Sequence, residues 1–261
     1  VLKENGYYNL FFMTHEGQYD NMNAFFRTNG YDEVFSQEDY PADKVVNSFG
    51  VQDDFLYDYA IPVLNQRAAT GQPFFATLLS ISNHPPYVIP PFFHPKTSEP
   101  ETQIVEYADW ALRQFFEEAR KQPWFDNTIF VLEGDHGKLV GDAECELPES
   151  YNHIPLMIYS SRIQPEEKTT FGGQVDIQPT ILGLLNIDYL QNNFGVDLLK
   201  EERPCMFYTA DNMVVGRNDT LLYLYNYETQ QELTYDIGNG KLNAVPMDDS
   251  FLPLKEYSFS M

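Results

Sequence analysis

Short apolar runs of strand length alternate with helical segments over the first three quarters of the chain, and this alternation is the strongest constraint on its fold. The runs start at Tyr7, Phe74, Thr128 and Ile154 and read YYNLFFM, FFATLLSIS, TIFVL and IPLMIYS. The clearest helix spans residues 104–122, where apolar side chains recur at intervals of three and four. Strands that alternate with helices favour an α/β fold with a mostly parallel, doubly wound sheet. Uninterrupted apolar runs are typical of strands buried on both faces.

The character of the sequence changes after Arg203. The segments MFYTADN, LLYLYNYE and ELTYDI have the length of short strands, and Asn239-Gly240 is a hairpin turn signal. We therefore predict an α/β core over residues 1–202 and a small antiparallel β subdomain over residues 203–261. Both ends of the chain resemble cuts through a structural element. The core is therefore expected to be the C-terminal portion of a larger domain, and the subdomain to be truncated at its end.

Two local predictions concern helices. Asp20 is expected to cap a helix that ends near Thr28, because Asp is a favoured N-cap residue. A second helix is expected between Asp53 and Ala69, and Pro62 should kink or split it.

The charge balance limits the possible partners. The chain has 39 acidic and 16 basic residues and a formal net charge of -23. Nucleic-acid binding requires clustered Lys and Arg to neutralise phosphates, so this charge balance argues strongly against a nucleic-acid partner. No run of about 18 apolar residues occurs, so no segment of the sequence is expected to span a membrane.

The two cysteines, Cys145 and Cys205, lack the CxxC spacing of zinc sites. They could pair with each other in an oxidising compartment, or remain two isolated thiols. The sequence leaves both possibilities open.

The segment EGDHG directly follows the apolar run TIFVL and carries Asp135 and His136. On a loop, the two adjacent side chains can turn toward one cation, and Gly134 and Gly137 allow a tight turn. A carboxylate together with an imidazole suits Mn²⁺ or Zn²⁺ better than Ca²⁺. The alternative is an Asp-His pair in an ordinary surface turn.

Two further histidines also follow apolar runs: His84 in ISNHPPY and His15 in THEG. In open α/β sheets, ligands bind outside the carboxyl ends of the strands. We therefore predict that His15 and His84 share one cleft with Asp135 and His136. His153 precedes its strand, so it either approaches the same centre or only begins the strand. A fifth histidine lies in the proline-rich segment PPFFHP and is expected to be a surface residue.

Taken together, these motifs resemble a known family. The segments FFMTHEGQYDNMNAFFRTNGYD, SISNHPPY, YADWALRQFFEEARKQPWFDNTIFVLEGDHG, NHIPLMIYS and QVDIQPTILGLLNI follow one another as in the sulfatase family of the alkaline phosphatase superfamily. Within it, the chain is most similar to the lipoteichoic acid synthase and phosphoglycerol transferase branch, over about residues 1–200. The resemblance implies an alkaline-phosphatase-like α/β core and a divalent metal. Mn²⁺ is the expected ion, with Zn²⁺, Mg²⁺ and Ca²⁺ as alternatives.

The family's functional residues map onto matching positions of this chain. Asp135 and His136 correspond to two metal ligands of the GDH motif. His84 matches the histidine of the NHxP motif that contacts the substrate phosphate group, and His15 matches a histidine that begins the substrate-binding loop. Asp176 lies in a family hallmark, and we expect it to be structural, capping the helix that follows. For His153, the resemblance leaves both a metal and a substrate contact open.

The chain also departs from the family pattern. The family's Thr nucleophile and its remaining metal ligand, a Glu, come from sequence upstream of Val1, so we assign no catalytic nucleophile within this chain. Thr14 lies after the nucleophile position and is not a substitute. Asp20 and Met22 stand where the glycerol-phosphate-binding branch has Trp and Arg, which puts phosphoglycerol as the substrate in question.

The resemblance implies a metal-dependent phosphoryl- or sulfuryl-ester transferase or hydrolase, most similar to a phosphoglycerol transferase acting on a membrane or envelope glycolipid or polymer. One alternative is a sulfatase or phosphodiesterase that hydrolyses small or glycan esters. Another is a non-catalytic sulfatase-like binding module. The expected location is the extracytoplasmic part of a cell-envelope protein, anchored to the membrane only through its N-terminal region. The chain alone is expected to be inactive.

Overall fold

The structure is a computed structural model that describes residues 1–139, 142–143 and 145–260. The chain divides into two compact units, Val1–Thr128 and Ile129–Met261. The boundary expected after residue 202 falls inside the second unit, and the assignment of domains stays a prediction.

The first unit is built around a parallel sheet with the strand order β2-β1-β5. Its elements in chain order are β1 (Tyr8–Met13), α1 (Met22–Thr28), β2 (Glu33–Phe35), β3 (Val45–Asn47), β4 (Gly50–Val51), α2 (Asp53–Ala69), β5 (Phe74–Leu79) and α3 (Pro100–Ala119). Strand β1 is the centre of the sheet, and its Leu10 and Phe12 are fully buried. The predicted α/β fold with a parallel sheet is confirmed.

Two strands of this sheet end together. Along the β1–β5 pair, Tyr8 lies opposite Phe74 and Met13 lies opposite Leu79. Because the strands are parallel, the segments that follow Met13 and Leu79 both leave the sheet at its carboxyl edge. These are the segments that carry two of the predicted site histidines.

Strand β5 is less buried than its apolar sequence suggests. All six of its residues are partly exposed. Among the described residues, β5 pairs with β1 alone and is therefore an edge strand. The expectation of burial on both faces is wrong for this strand, since an apolar run does not reveal how completely other elements cover the two faces of the sheet.

The start of helix α1 differs from the prediction. The helix begins at Met22, and Asp20 makes no capping hydrogen bond to it. Asp20 and Asn21 instead adopt left-handed backbone conformations, with φ values of 46° and 58°. Asp and Asn tolerate this region better than other non-glycine residues. Asp20 therefore forms part of a left-handed turn before the helix and does not cap it.

Helix α2 continues through Pro62 without a break. A proline inside a helix removes one backbone hydrogen bond and crowds the preceding turn. Packing against α3 offsets this cost: the Tyr107 hydroxyl donates to Asp54 at 2.6 Å, and the rings of Tyr57 and Phe115 lie 5.2 Å apart. The expectation of a split helix is therefore wrong, because tertiary contacts outweigh the local penalty.

The second unit contains a five-stranded antiparallel sheet with the order β12-β11-β10-β9-β8. Its elements in chain order are β6 (Phe130–Glu133), β7 (Leu156–Tyr159), α4 (Ile177–Leu184), β8 (Met206–Ala210), β9 (Met213–Arg217), β10 (Leu221–Asn226), β11 (Gln231–Asp236), β12 (Asn243–Ala244) and α5 (Leu252–Ser260). The predicted antiparallel sheet near the C-terminus is confirmed. Strands β6 and β7 form a separate antiparallel pair, in which Phe130 lies opposite Tyr159.

The two faces of the five-stranded sheet pack against different residues. Leu222 and Leu224 lie in one cluster with Leu147, whereas Tyr223 packs with Phe251 in another. This alternation follows from the two-residue period of a strand. Cys145 contacts the first cluster and Cys205 belongs to the second, so the structure forms no disulfide between them. Among the described helices, none is long and apolar enough to cross a membrane.

Candidate functional site

His15 lies directly beyond the end of β1 and is only 1% exposed. Its ring packs against Tyr19, with the ring centres 4.8 Å apart. The following turn is held by Glu38, which accepts hydrogen bonds from the Ser36 hydroxyl and from the N–H of Gly17. The Ser36 hydroxyl is the main reason that the pKa of Glu38 is lowered, and the Gly17 N–H and the nearby His15 add to the effect.

His84 lies in the exposed loop that follows β5. Its N–H donates to the carbonyl of Ile81 at 2.8 Å, which turns the chain back after the strand. Its ring lies 4.2 Å from the ring of Phe49, in the turn between β3 and β4.

An aromatic row connects the two histidines. Tyr19 lies against His15, Phe49 lies against His84, and the Tyr19 and Phe49 rings are 6.4 Å apart. The first unit therefore brings the buried His15 and the exposed His84 to the same carboxyl edge of its sheet.

Residues 50–53 run between the two histidine-bearing segments, and we call them the bracket. Gly50 has a φ of +89°, and a Cβ at this position would lie 1.7 Å from the carbonyl oxygen of Thr14. The N–H of Val51 donates to the same oxygen at 3.1 Å. Only glycine fits at position 50, so the bracket lies directly against the backbone of Thr14 and His15.

The other half of the bracket holds the His84 segment. Oδ1 of Asp53 accepts hydrogen bonds from the N–H groups of Ile81 and Ser82, at 2.9 and 3.0 Å. The Asp53 N–H in turn donates to the Ser82 hydroxyl at 3.0 Å. Asp53 is 1% exposed; burial raises the pKa of its carboxyl group, and the two N–H groups oppose that rise.

Gln52 completes the bracket, since its Nε2 donates to the carbonyl of Val88 at the far end of the same loop. Sequence reasoning missed these residues and treated Asp53 only as the start of a helix. The one available signal is the pair Gln52-Asp53 at a strand-to-helix junction, which does not reveal a partner so far along the chain.

In the second unit, Asp135 and His136 follow β6, as the sequence predicts. Both side chains are exposed, at 73% and 71%. The N–H of His136 donates to Oδ1 of Asp135 at 2.9 Å, and Nε2 of His136 lies 3.8 Å from Oδ2 of Asp135. Two ligand atoms on one Mn²⁺ or Zn²⁺ lie roughly 3 to 3.5 Å apart, given metal–ligand distances of about 2.1 Å. The observed 3.8 Å is close to this range, so the donor types and their separation are compatible with a divalent metal.

The glycines beside this pair allow close packing within the second unit. A Cβ at Gly137 would lie 1.9 Å from the carbonyl oxygen of Ser150, and the Gly137 N–H donates to Tyr151 at 2.8 Å. The segment that carries His153 therefore runs beside the loop of Asp135 and His136. His153 itself is exposed, and its N–H donates to Glu149 at 2.7 Å.

The Gln174–Asp176 segment supports the same loop. Nε2 of Gln174 donates to the carbonyl of Asp135 at 2.8 Å. Asp176 is structural but does not cap α4: Oδ2 accepts from the N–H of Gly173, and both carboxylate oxygens accept from Arg203. The bond to Gly173 instead caps the short 3₁₀ turn Gln174–Asp176 that leads directly into α4, and the buried Arg203 guanidinium adds charge-assisted hydrogen bonds.

The three histidines that follow strands share one local arrangement. Each ring Nδ1 lies within hydrogen-bond distance of the carbonyl oxygen of the next residue. The distances are 3.1 Å from His15 to Glu16, 2.7 Å from His84 to Pro85 and 2.8 Å from His136 to Gly137. A carbonyl oxygen only accepts, so Nδ1 carries a proton in each ring and Nε2 is the remaining nitrogen. Such an arrangement is common for histidines that bind metals through Nε2.

Within the described part of the chain, no three His, Cys, Asp or Glu side chains are grouped closely enough to hold a metal ion. Asp135 and His136 are therefore the two donors that this loop would offer to a metal ion. The fifth histidine, His94, lies exposed in its proline-rich segment.

A family model described as "Sulfatase" matches residues 1–187 of the chain. The chain belongs to the sulfatase family. Lipoteichoic acid synthase 1 of Bacillus subtilis (strain 168) is 28% identical over 247 residues, which cover 86% of this chain and 37% of that protein. Lipoteichoic acid synthase 2 of the same organism is 26% identical over 227 residues, which cover 77% of this chain and 34% of that protein. The sulfatase-family chain thus spans little more than a third of these curated relatives.

Solved structures agree on the fold. An alkaline phosphatase superfamily protein from Vibrio parahaemolyticus matches with a TM-score of 0.86 and 28% identity, over 99% of this chain and 65% of that one. The lipoteichoic acid synthase LtaP of Listeria monocytogenes matches with a TM-score of 0.79 and 23% identity, over 99% and 71% of the two chains. The predicted membership of the sulfatase family and the predicted alkaline-phosphatase-like fold are both confirmed.

The predicted site residues fall in both units. His15 and His84 lie together in the first unit, and Asp135, His136 and His153 lie in the second. That all of them share one cleft stays a prediction, as do their individual roles.

Proposed function

We propose that this chain supplies the metal-binding pair and the phosphate-binding histidines of a phosphoglycerol-transferase-like enzyme that acts on a membrane or envelope glycolipid or polymer. The observation that carries the proposal is the arrangement of Asp135 and His136. Their Oδ2 and Nε2 atoms are 3.8 Å apart, and the Nδ1–H of His136 is bonded to its own loop. That geometry suits a divalent cation. An exposed Asp–His contact would add little stability to a surface turn.

In this proposal Asp135 and His136 hold a divalent metal, with Mn²⁺ as the expected ion. When bound, such a metal activates a hydroxyl nucleophile and neutralises charge on the ester under attack. His136 binds through Nε2, so its ring must be neutral. The nucleophile itself is a Thr that we place outside residues 1–261.

His15 and His84 have the task of binding the phosphate or sulfate group of the substrate. Because Nδ1 is already bonded in each ring, Nε2 can donate to an ester oxygen only when the ring is protonated. The two histidines thus stabilise negative charge as imidazolium ions, or pass a proton to the leaving alkoxide. Their proton requirement is opposite to that of His136.

A second candidate function, hydrolysis of a sulfate ester or phosphodiester, is favoured by one observation. The segments 14–22, 46–52 and 81–88, which form the surface around His15 and His84, contain no Lys or Arg. They contain Glu16 and Asp20 instead. An acceptor that carries further anionic groups, such as an anionic envelope polymer, is therefore poorly accommodated there, which favours hydrolysis of a small or glycan ester over transfer to such a polymer.

We also propose an extracytoplasmic location in a membrane-anchored cell-envelope protein, on the basis of the lipoteichoic acid synthases among its relatives. A phosphate- or sulfate-ester substrate and the absence of a nucleic-acid partner belong to the same proposal.

The test uses the longer protein that contains this chain, supplied with Mn²⁺. Release or transfer of phosphoglycerol from a phosphoglycerol-bearing lipid is compared with hydrolysis of p-nitrophenyl sulfate and bis-p-nitrophenyl phosphate. Phosphoglycerol transfer that is lost in Asp135→Asn and His136→Asn, but kept in His94→Ala, supports the first function. Turnover confined to the small esters supports the second. No turnover of any substrate contradicts both and favours a non-catalytic binding module.

A further inference from the structure

We infer that the bracket, residues 50–53, fixes the position of His84 relative to His15, and that Gln52 and Asp53 are positioning residues for the two histidines. The inference rests on the proposed function, in which both histidines bind one substrate group. Neither Gln52 nor Asp53 is assigned contact with the substrate.

The loop that carries His84 is attached to the bracket at both of its ends. Asp53 bonds to Ile81 and Ser82, and Gln52 bonds to Val88. Two consecutive residues therefore close an exposed loop of eight, which contains two prolines that further limit its backbone. A loop closed in this way has few conformations left in which to move the His84 ring.

The opposite side of the bracket is attached to the segment that carries His15. Gly50 packs on the Thr14 and His15 backbone, and the Val51 N–H bonds to the Thr14 carbonyl. Val51 and Asp53 are two residues apart, so their Cα atoms lie no more than about 7.6 Å apart. Val51 is attached to the His15 segment and Asp53 to the His84 loop, so the Cα atoms that carry these two attachments stay within this distance of each other.

Asp53 is not simply an N-terminal helix residue. A capping side chain bonds to an N–H two or three residues further along its own helix. Oδ1 of Asp53 bonds instead to Ile81 and Ser82, which lie 28 and 29 residues away in the sequence. Phe49, just before the bracket, also lies against the His84 ring, so residues 49–53 contact the loop at both of its ends and at its histidine.

The experiment follows the imidazole NMR resonances of the 261-residue chain, whose five histidines give a small set of signals. Asp53→Ala removes the acceptor of two N–H groups, whereas Asp53→Asn keeps an oxygen in the Oδ1 position. We expect Asp53→Ala to shift the His84 signal, to leave the His94 signal unchanged, and to speed amide exchange at Ile81 and Ser82 about tenfold. Asp53→Asn should restore the wild-type His84 signal.

Two further variants keep the test decisive if Asp53→Ala does not fold. Gln52→Ala removes only the hydrogen bond to Val88 and should also shift His84 but not His94. Gly50→Ala forces the backbone of Thr14 away and should shift His15. An unchanged His84 signal in the folded Gln52 and Asp53 variants overturns the inference, as do equal shifts of His84 and His94.

A titration with inorganic phosphate separates this inference from the proposed function. A wild-type chain in which phosphate shifts neither His15 nor His84 contradicts the proposed function, while the signals of the variants still decide the role of the bracket. Phosphate-induced shifts that weaken in Asp53→Ala and return in Asp53→Asn support both.

Discussion

The side chain of Gln174 donates a hydrogen bond from Nε2 to the carbonyl oxygen of Asp135, 2.8 Å away, and so supports the backbone of the predicted metal-binding loop. We expect Gln174→Leu to weaken Mn²⁺ binding about tenfold, because groups that orient metal ligands typically contribute that much or more. The measurement is the Mn²⁺-induced broadening of the His136 ring signals in a titration.

The matched control is Gln178→Leu. Gln178 is another exposed glutamine, four residues further on, and its side chain accepts from Asn193 rather than contacting the loop. It should leave the Mn²⁺ response unchanged. Equal responses for both variants would mean that Gln174 has no special role.

The metal itself should bind weakly to this chain. Asp135 and His136 provide two protein donors, whereas catalytic sites usually provide three. Calorimetric titration with Mn²⁺ and Zn²⁺ should show weak binding that disappears in Asp135→Ala and His136→Ala and persists in His94→Ala. Tight stoichiometric binding that His153→Ala removes would instead identify His153 as a third ligand.

A buried ion pair stabilises the second unit. The side chains of Asp176 and Arg203 are 0% and 3% exposed, and Arg203 also donates to the Tyr257 hydroxyl at 2.6 Å. Arg203→Ala leaves a buried carboxylate without its partner, which costs about 3–5 kcal/mol. Urea unfolding followed by far-UV circular dichroism measures the loss.

The control for this pair is Arg113→Ala, which breaks an exposed pair with Asp109 in helix α3. Exposed pairs of this kind contribute about 0.3–0.5 kcal/mol. If the two variants lost a similar amount of unfolding free energy, the buried pair would stabilise the protein no more than the exposed pair.

Features that arise from neighbouring residues could be predicted from the sequence, whereas contacts between residues far apart in the sequence could not. The period of residues 104–122 and the alternation around Tyr223 reflect local packing, so α3 and the antiparallel sheet were predictable. The bond between Asp53 and Ile81 joins residues in different elements, and no local pattern encodes it. Asp20 was misread because its residue type favours both a helix cap and a left-handed turn.

The turn after His15 should depend on pH through Glu38. The pKa of Glu38 is lowered below its ordinary 4.5 because the ionised carboxylate accepts from Ser36 and Gly17. The ionised group therefore stabilises the fold above pH 4.5, and this contribution is lost as the pH falls from that value through the lowered pKa. The stability difference between wild type and Glu38→Gln should be largest near neutral pH and should shrink on acidification.

Tryptophan fluorescence measures this difference, because Trp110 and Trp124 both lie in the first unit. Glu16→Gln is the control, since it removes a neighbouring exposed carboxylate and keeps both bonds of Glu38. A stability difference for Glu38→Gln that stays constant between neutral and acidic pH would rule out this linkage.

The last prediction concerns the charge of the substrate. Asp20 follows Tyr19, whose ring lies against His15, so its carboxylate adds negative charge beside the proposed phosphate-binding surface. Asp20→Asn removes this charge and keeps a residue that tolerates the φ of 46°. Removing one repulsive charge from this turn should tighten the binding of glycerol phosphate by about two- to fivefold at low salt, and by less at high salt. The affinity is read from the imidazole signals of His15 and His84, with uncharged glycerol as the control ligand.

Because glycerol carries no charge, its affinity should not differ between wild type and variant. An equal gain for both ligands, or no gain for glycerol phosphate, would show that Asp20 does not influence substrate charge selection.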